Sequence, residues 1–167
     1  NNLKPSMLSM TLTLMELDKL GVGSFGVDQF YYDQAQRDRK ITLELESSQQ
    51  QIEFLTSMGE GQEDLMIEQT LQDIDTLAVE FPLMIKSWRE GDTAQLEALF
   101  IEPMKNEFNA IYQQLLVQRN QNWLPQINEL LKTTDTEMVL VGCAHLIGED
   151  GLVDQLRKAG LSVTQLD

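Results

Sequence analysis

The sequence predicts an α/β fold, or its α+β relative, that is rich in helix and carries a small sheet. Three observations predict it. Apolar residues recur at helical spacing over most of the 167 residues. One short stretch, Ile41-Thr42-Leu43-Glu44-Leu45, alternates apolar with polar residues, the period of a half-buried strand. The last stretch reads strand, helix, strand, which is a C-terminal βαβ unit.

Pro5 suits the first turn of a helix, and Leu8, Leu12, Met15 and Leu20 continue it to Gly21-Val22-Gly23, where it stops. Asp28 to Arg39 reads as a second helix anchored by Phe30, Tyr31 and Ala35. After the predicted strand at 41–45, Ser47 or Ser48 can cap a helix through Ile52, Phe54 and Leu55. Glu60 to Leu131 reads as helices only. Pro82 begins or kinks one of them, Asp92 caps Ala94 to Phe100, and Pro103 starts a long stretch through Leu116. Pro125 should kink or divide that stretch, since a mid-helix proline removes a backbone hydrogen bond. Glu137 to Val141 is apolar and partly β-branched, as a buried strand is. A loop from Gly142 to Gly148 follows, then a helix over Glu149–Ala159 stopped by Gly160, then a strand over Leu161–Leu166.

The hydrophobic fraction is 42%, enough for one sizeable core, so residues 1–167 read as a single domain. No run approaches the roughly 18 apolar residues of a membrane-spanning helix; Met7 to Leu17 is cut by Thr11, Thr13 and Glu16. A formal net charge of −15 argues against nucleic acid and anionic membrane surfaces, which are bound through basic groups. Cys143 is the one cysteine, which excludes an intrachain disulfide and a cysteine zinc cluster. Gly21 to Gly26 spells GxGxxG, but it follows a helix where the dinucleotide fingerprint needs a strand.

In open α/β sheets ligands gather beyond the carboxyl ends of the strands. Two such ends are legible, one at Glu46 and one at Gly142-Cys143-Ala144-His145. Both carry groups suited to metal ligation or to acid/base work. His145 is the only histidine, and it reads equally as a site residue or as a residue satisfying its loop. Cys143 is either a nucleophile served by His145 or a small buried apolar residue. Glu46 and the pair Glu149-Asp150 equally suit helix N-termini, where the dipole favours carboxylates. Arg119 reads as an ion-pair partner of an acidic helix or as an anion clamp. Trp88 and Trp123 are core or interface anchors. Met7, Met10 and Met15 are core filler or a partner-facing surface.

Arg119-Asn120-Gln121-Asn122-Trp123-Leu124-Pro125-Gln126-Ile127, followed by Gly142-Cys143-Ala144-His145-Leu146 and Gly148-Glu149-Asp150-Gly151-Leu152, resembles the TraB/GumN family, including its Tiki-type proteases. Gly26-Val27-Asp28, Lys40, Leu45-Glu46, Gln51 and Trp88 with Gly91-Asp92 extend the resemblance along the chain. It implies a fold similar to the erythromycin-esterase and ChaN-like group, with two GxxH motifs. The second maps onto Gly142 and His145, whereas the first normally lies in an N-terminal strand and this sequence has no second histidine. The chain, which begins Asn-Asn-Leu-Lys-Pro, is therefore expected to be the C-terminal part of a longer protein.

The resemblance implies a metal-dependent hydrolase or peptidase in a periplasmic or secreted setting, acting on a peptide or a small molecule. It places His145 and Glu46 as ligands of a divalent metal, and His145, Glu46 and Arg119 as catalytic residues. The alternative is a non-enzymatic helical binding or regulatory module for a peptide pheromone or a polysaccharide-related function. An open sheet edge would also invite homodimerisation.

Overall fold

The computed structural model of the chain describes residues 3–23 and 25–166, which form two compact units, residues 1–81 and 82–167. Ser24, within the discarded GxGxxG, lies outside the described residues.

In the first unit α1 spans Pro5–Lys19, with proline in its first turn, and Gly21 leaves the helix at φ +80°. Helix α2 spans Val27–Arg37 and α3 spans Ser48–Ser57. Ser47 caps α3 through a capping box, its hydroxyl accepting from the Gln50 amide while the Gln50 side chain accepts from the Ser47 amide. Helices α1 and α3 pack together, and Ser6 and Ser9, one turn apart on α1, are buried. Lys4 Nζ donates to the Thr56 carbonyl at 3.1 Å and ties the start of α1 to α3. Helix α4, Glu63–Glu90, starts in this unit and runs through Pro82, the first residue of the second. The missing amide there leaves the Ala78 carbonyl without a helical partner, and Ala78 is exposed.

In the second unit Asp92 caps α5 (Thr93–Leu96) by accepting from the Gln95 amide at 3.0 Å. A π-helical turn, Glu97–Ile101, continues it. Helices α6 (Glu102–Glu107) and α7 (Asn109–Tyr112) follow, then a second π-helical turn, Gln113–Val117, and α8 (Gln118–Leu130), which holds Pro125 within it. A short 3-10 turn, Cys143–His145, and α9 (Leu152–Lys158) complete the unit. Its core is Ile101, Tyr112, Leu116 and Val117, with Phe100, Met104, Leu115, Ala144 and Ile147 packed around them.

The expected sheet does not form. The fold is 68% helix with no strand among the described residues, so it is not an α/β fold with a C-terminal βαβ unit. Residues 41–44 have no regular secondary structure and face solvent, with Ile41 90% and Leu43 79% exposed. The buried strand expected at 137–141 is also exposed, at Met138, Val139 and Leu140. In the last segment the Val163 carbonyl accepts from the Arg157 guanidinium at 3.0 Å, and the Gln165 side chain donates to the Gly91 carbonyl. A side chain thus occupies the Val163 carbonyl, which a ladder would use. Alternation and β-branching describe how a residue would sit in a sheet, but the hydrogen bonds that make one are non-local.

The second unit's core sets a stability contrast. Leu116→Ala should lower unfolding stability in urea by about 2–5 kcal/mol, the cost of a cavity at a buried leucine, whereas Val79→Ala, at a residue 80% exposed, should change it by less than about 0.5 kcal/mol. Equal midpoints for the two variants would contradict this assignment of the core.

Candidate functional site

The π-helical turn at 113–117 sets the phase of α8. A π turn carries one residue more than an α turn, so it rotates the following face by about 100°. Asn120, Trp123 and Ile127, at i, i+3 and i+7, then share the buried face of α8. Arg119 is beside them, half-buried. The π-helical turn at 97–101 packs against the 3-10 turn that carries His145.

That 3-10 turn is closed by the His145 amide donating to the Gly142 carbonyl at 2.9 Å and the Leu146 amide donating to the Cys143 carbonyl at 3.0 Å. Beyond it, the chain needs glycine twice. Gly148 has φ +76°, which side-chain-bearing residues rarely adopt. At Gly151 an added Cβ would meet the carbonyl oxygens of Leu146 and Ile147. This tight return brings Asp150 back to α8.

Asn120 is 2% exposed and His145 6% exposed. The Asn120 Nδ2 donates to the His145 carbonyl at 3.2 Å and to the Asp150 carbonyl at 2.9 Å. With both amide protons given to carbonyls, Oδ1 is the atom left to face His145 Nδ1, 2.8 Å away. An amide oxygen only accepts, so Nδ1 carries the ring proton and Nε2 carries the lone pair. Arg119 Nη1 stands 3.3 Å from Nε2 and 3.4 Å from the Leu115 carbonyl. The Trp123 ring lies 4.4 Å from the imidazole, centroid to centroid, and the Arg119 guanidinium carbon is 4.9 Å from the Trp123 ring centroid. Among the described residues, the buried Trp123 Nε1 has no hydrogen-bond partner.

A second polar group adjoins this cluster. The Tyr112 hydroxyl donates to Asp150 Oδ2 at 2.8 Å. Burial first, and then the Asp150 carboxylate, push the Tyr112 phenol well above its ordinary value. Lys105 and Glu149 form an ion pair that raises the lysine and lowers the glutamate. Both face solvent, so the pair adds little to stability. Tyr112, Lys105 and Glu149 line an open cleft of about 450 Å³ together with Glu97 and Glu102.

Arg119 and His145, two of the residues expected at the site, meet in the second unit. Glu46 lies in the first unit, half-buried in the bend that precedes α3. Cys143 and His145 open and close a 3-10 turn, where i and i+2 point about 120° apart, and so they do not share a face as they would in an extended segment. Trp123 is buried, whereas Trp88 is 48% exposed. Glu149 and Asp150 do precede a helix, but they are also engaged with Lys105 and Tyr112.

Among the described residues, no three His, Cys, Asp or Glu side chains converge. Both nitrogens of His145 face a partner, and the one with the lone pair faces a guanidinium. A divalent cation at Nε2 would stand beside that positive charge, which like-charge repulsion opposes. Asn120 and Tyr112 were not singled out by sequence reasoning, which reads Trp123 only as a core or interface anchor and Glu149-Asp150 only as a helix N-terminus. The signal available for Asn120 was its place inside the motif block Arg119–Ile127, whereas Tyr112 lies outside both motif blocks.

Tyr112→Phe tests the polar network through pH. A phenol whose folded value exceeds the unfolded 10.0 contributes stability that is fully present below pH 10.0 and is lost as pH rises through the raised folded value. The variant should be less stable than wild type by about 1.5–3 kcal/mol at pH 8, the worth of a hydrogen bond to a charged acceptor. That gap should close only in more alkaline solution. A gap that closes below pH 10.0 would contradict the assignment.

The model of the TraB/PrgY/gumN family matches residues 1–165. No curated protein and no solved structure matches the chain. The match takes in the α8 residues that surround His145, the 3-10 turn that carries it and the glycine-dependent return to Asp150, and with essentially its whole length matched this chain belongs to the TraB/PrgY/gumN family.

Proposed function

We propose that the chain carries the histidine-centred part of a hydrolase or peptidase site. In this reading His145 is the proton-transferring group and Arg119 orients the substrate. The observation that supports it is the state of the imidazole, which is buried, held at Nδ1 by Asn120 and left with a lone pair at Nε2 directed to Arg119. A neutral imidazole held this way is a general base. Arg119 is the group that responds to substrate. Its planar guanidinium matches a carboxylate in a two-point contact, and an anionic substrate group that draws it from Nε2 exposes the lone pair to an attacking water.

The proton then moves from water to Nε2 while the water oxygen bonds to the substrate carbonyl carbon. Nε2 returns that proton to the leaving nitrogen or oxygen as its bond to carbon breaks. The substrate class is a peptide or small molecule with a carboxylate near the scissile carbonyl. Glu46 enters as a candidate from the sequence alone.

The test is hydrolysis of peptides with free and amidated C-termini by the natural full-length protein. His145→Ala should lower kcat/KM by about 10²- to 10⁴-fold. Arg119→Gln should raise KM for the free-acid peptides and leave the amidated ones little changed. Unchanged turnover in His145→Ala would sink the reading, and peptide binding without turnover in wild type would favour the non-enzymatic module. Glu46→Gln with wild-type kinetics would remove Glu46 from the site. Metal analysis of wild type against His145→Ala tests the divalent ion separately, with equal metal content in both excluding His145 as a ligand.

A further inference from the structure

We infer that Asn120 is the positioning residue of the His145 site, whose carboxamide fixes the imidazole as the Nδ1–H tautomer and fastens the loop that carries it. The inference rests on the reading of His145 as the proton-transferring group, and it adds what sets that group's chemistry.

A histidine in water exchanges its ring proton between two nitrogens, and only one of the two neutral forms offers a base at Nε2. Asn120 selects that form through one acceptor contact, Oδ1 to Nδ1 at 2.8 Å. The direction of the carboxamide is itself determined, because Nδ2 has carbonyls at 2.9 Å and 3.2 Å. Reversing the amide would set its oxygen against two carbonyl oxygens and its NH₂ against Nδ1, and the resulting repulsions make that orientation unstable.

The same two donor contacts hold residues 145 and 150, the two ends of the loop that contains Gly148. One side chain thus fixes the tautomer, the ring position and the loop closure. Its burial, at 2% exposure, excludes the water that would otherwise compete for each of these contacts.

No other residue type meets these demands at this position. Aspartate accepts from Nδ1–H but cannot donate to the carbonyls. Leucine has the same branched outline and does neither. Glutamine carries the amide one methylene too far in a close-packed site. Arg119 is the competing explanation, since a donor at Nε2 also favours a proton on Nδ1.

His145 is the only histidine, so protein labelled with ¹⁵N-histidine reports a single pair of ring nitrogens. At neutral pH, wild type should show one protonated and one unprotonated nitrogen, with the proton on Nδ1. Arg119→Met should keep that pattern, and so should Asn120→Asp, which retains the acceptor. Asn120→Leu should bring the two shifts toward a common value as the tautomers exchange, and should lower kcat by about 10- to 100-fold, as loss of an outer partner of a site histidine does, with KM within about twofold.

A wild-type proton on Nε2 would overturn the inference without any variant. So would an Asn120→Leu spectrum like wild type's, or loss of the pattern in Arg119→Met alone. Should Asn120→Leu fail to fold, the wild-type, Arg119→Met and Asn120→Asp spectra still decide it. An Nδ1–H pattern that depends on Asn120, in a protein that hydrolyses nothing, would leave this inference standing and remove the hydrolase reading.

Discussion

A buried amide that donates twice and accepts once joins the turn carrying His145 to the helix beneath it. The three contacts of Asn120 fall on the His145 ring, the His145 carbonyl and the Asp150 carbonyl, so the ring, its own backbone and the far end of the loop share one anchor. Around that anchor the remaining geometry has little freedom. Gly148 takes a left-handed conformation and Gly151 admits no Cβ, because one would meet the Leu146 and Ile147 carbonyl oxygens. Tyr112 then takes the Asp150 carboxylate, which extends the polar network into the core formed with Ile101, Leu116 and Val117. A polar network of this kind is stable because its members satisfy one another, and removing one leaves the others buried without partners.

Arg119 and Trp123 determine how His145 meets its surroundings. The guanidinium touches both the indole face and Nε2, so the imidazole lone pair and the strongest local positive charge occupy the same corner. That arrangement sets a hydrogen-bond acceptor and a charged donor side by side. The two π-helical turns serve the same corner. One precedes α8 and sets which residues face inward, and the other packs against the 3-10 turn. Irregular helical turns of this type recur where a helix must aim particular side chains, at a cost in hydrogen-bond geometry.

Helices were legible because their signals are local. Pro5 at the start of α1, Ser47 with Gln50 before α3, Asp92 before α5 and Gly160 after α9 act on residues within one turn of themselves. The prolines were legible in position, and α4 and α8 continue through Pro82 and Pro125 without being divided there. Packing and neighbouring turns can outweigh one lost backbone bond. The alternating segment 41–45 and the apolar segments at 137–141 and 161–166 carried the right residue types for strands. Their backbone partners are non-local, and the contacts seen at Val163 and Gln165 run to side chains and to a turn.

By itself the sequence determined the helical content, the absence of any intrachain disulfide, the acidity, and the pairing of an Arg-Asn-Trp block with a Gly-Cys-Ala-His block. Composition and near-neighbour chemistry suffice for those. Only the tertiary structure decided that the extended segments do not assemble into a sheet, that Arg119 and His145 meet, and that Asn120 controls the ring. A residue name states which hydrogen bonds a side chain can make. Which of them it makes depends on what the fold places within about 3 Å of it, and at Asn120 those partners are 25 and 30 residues away in the chain.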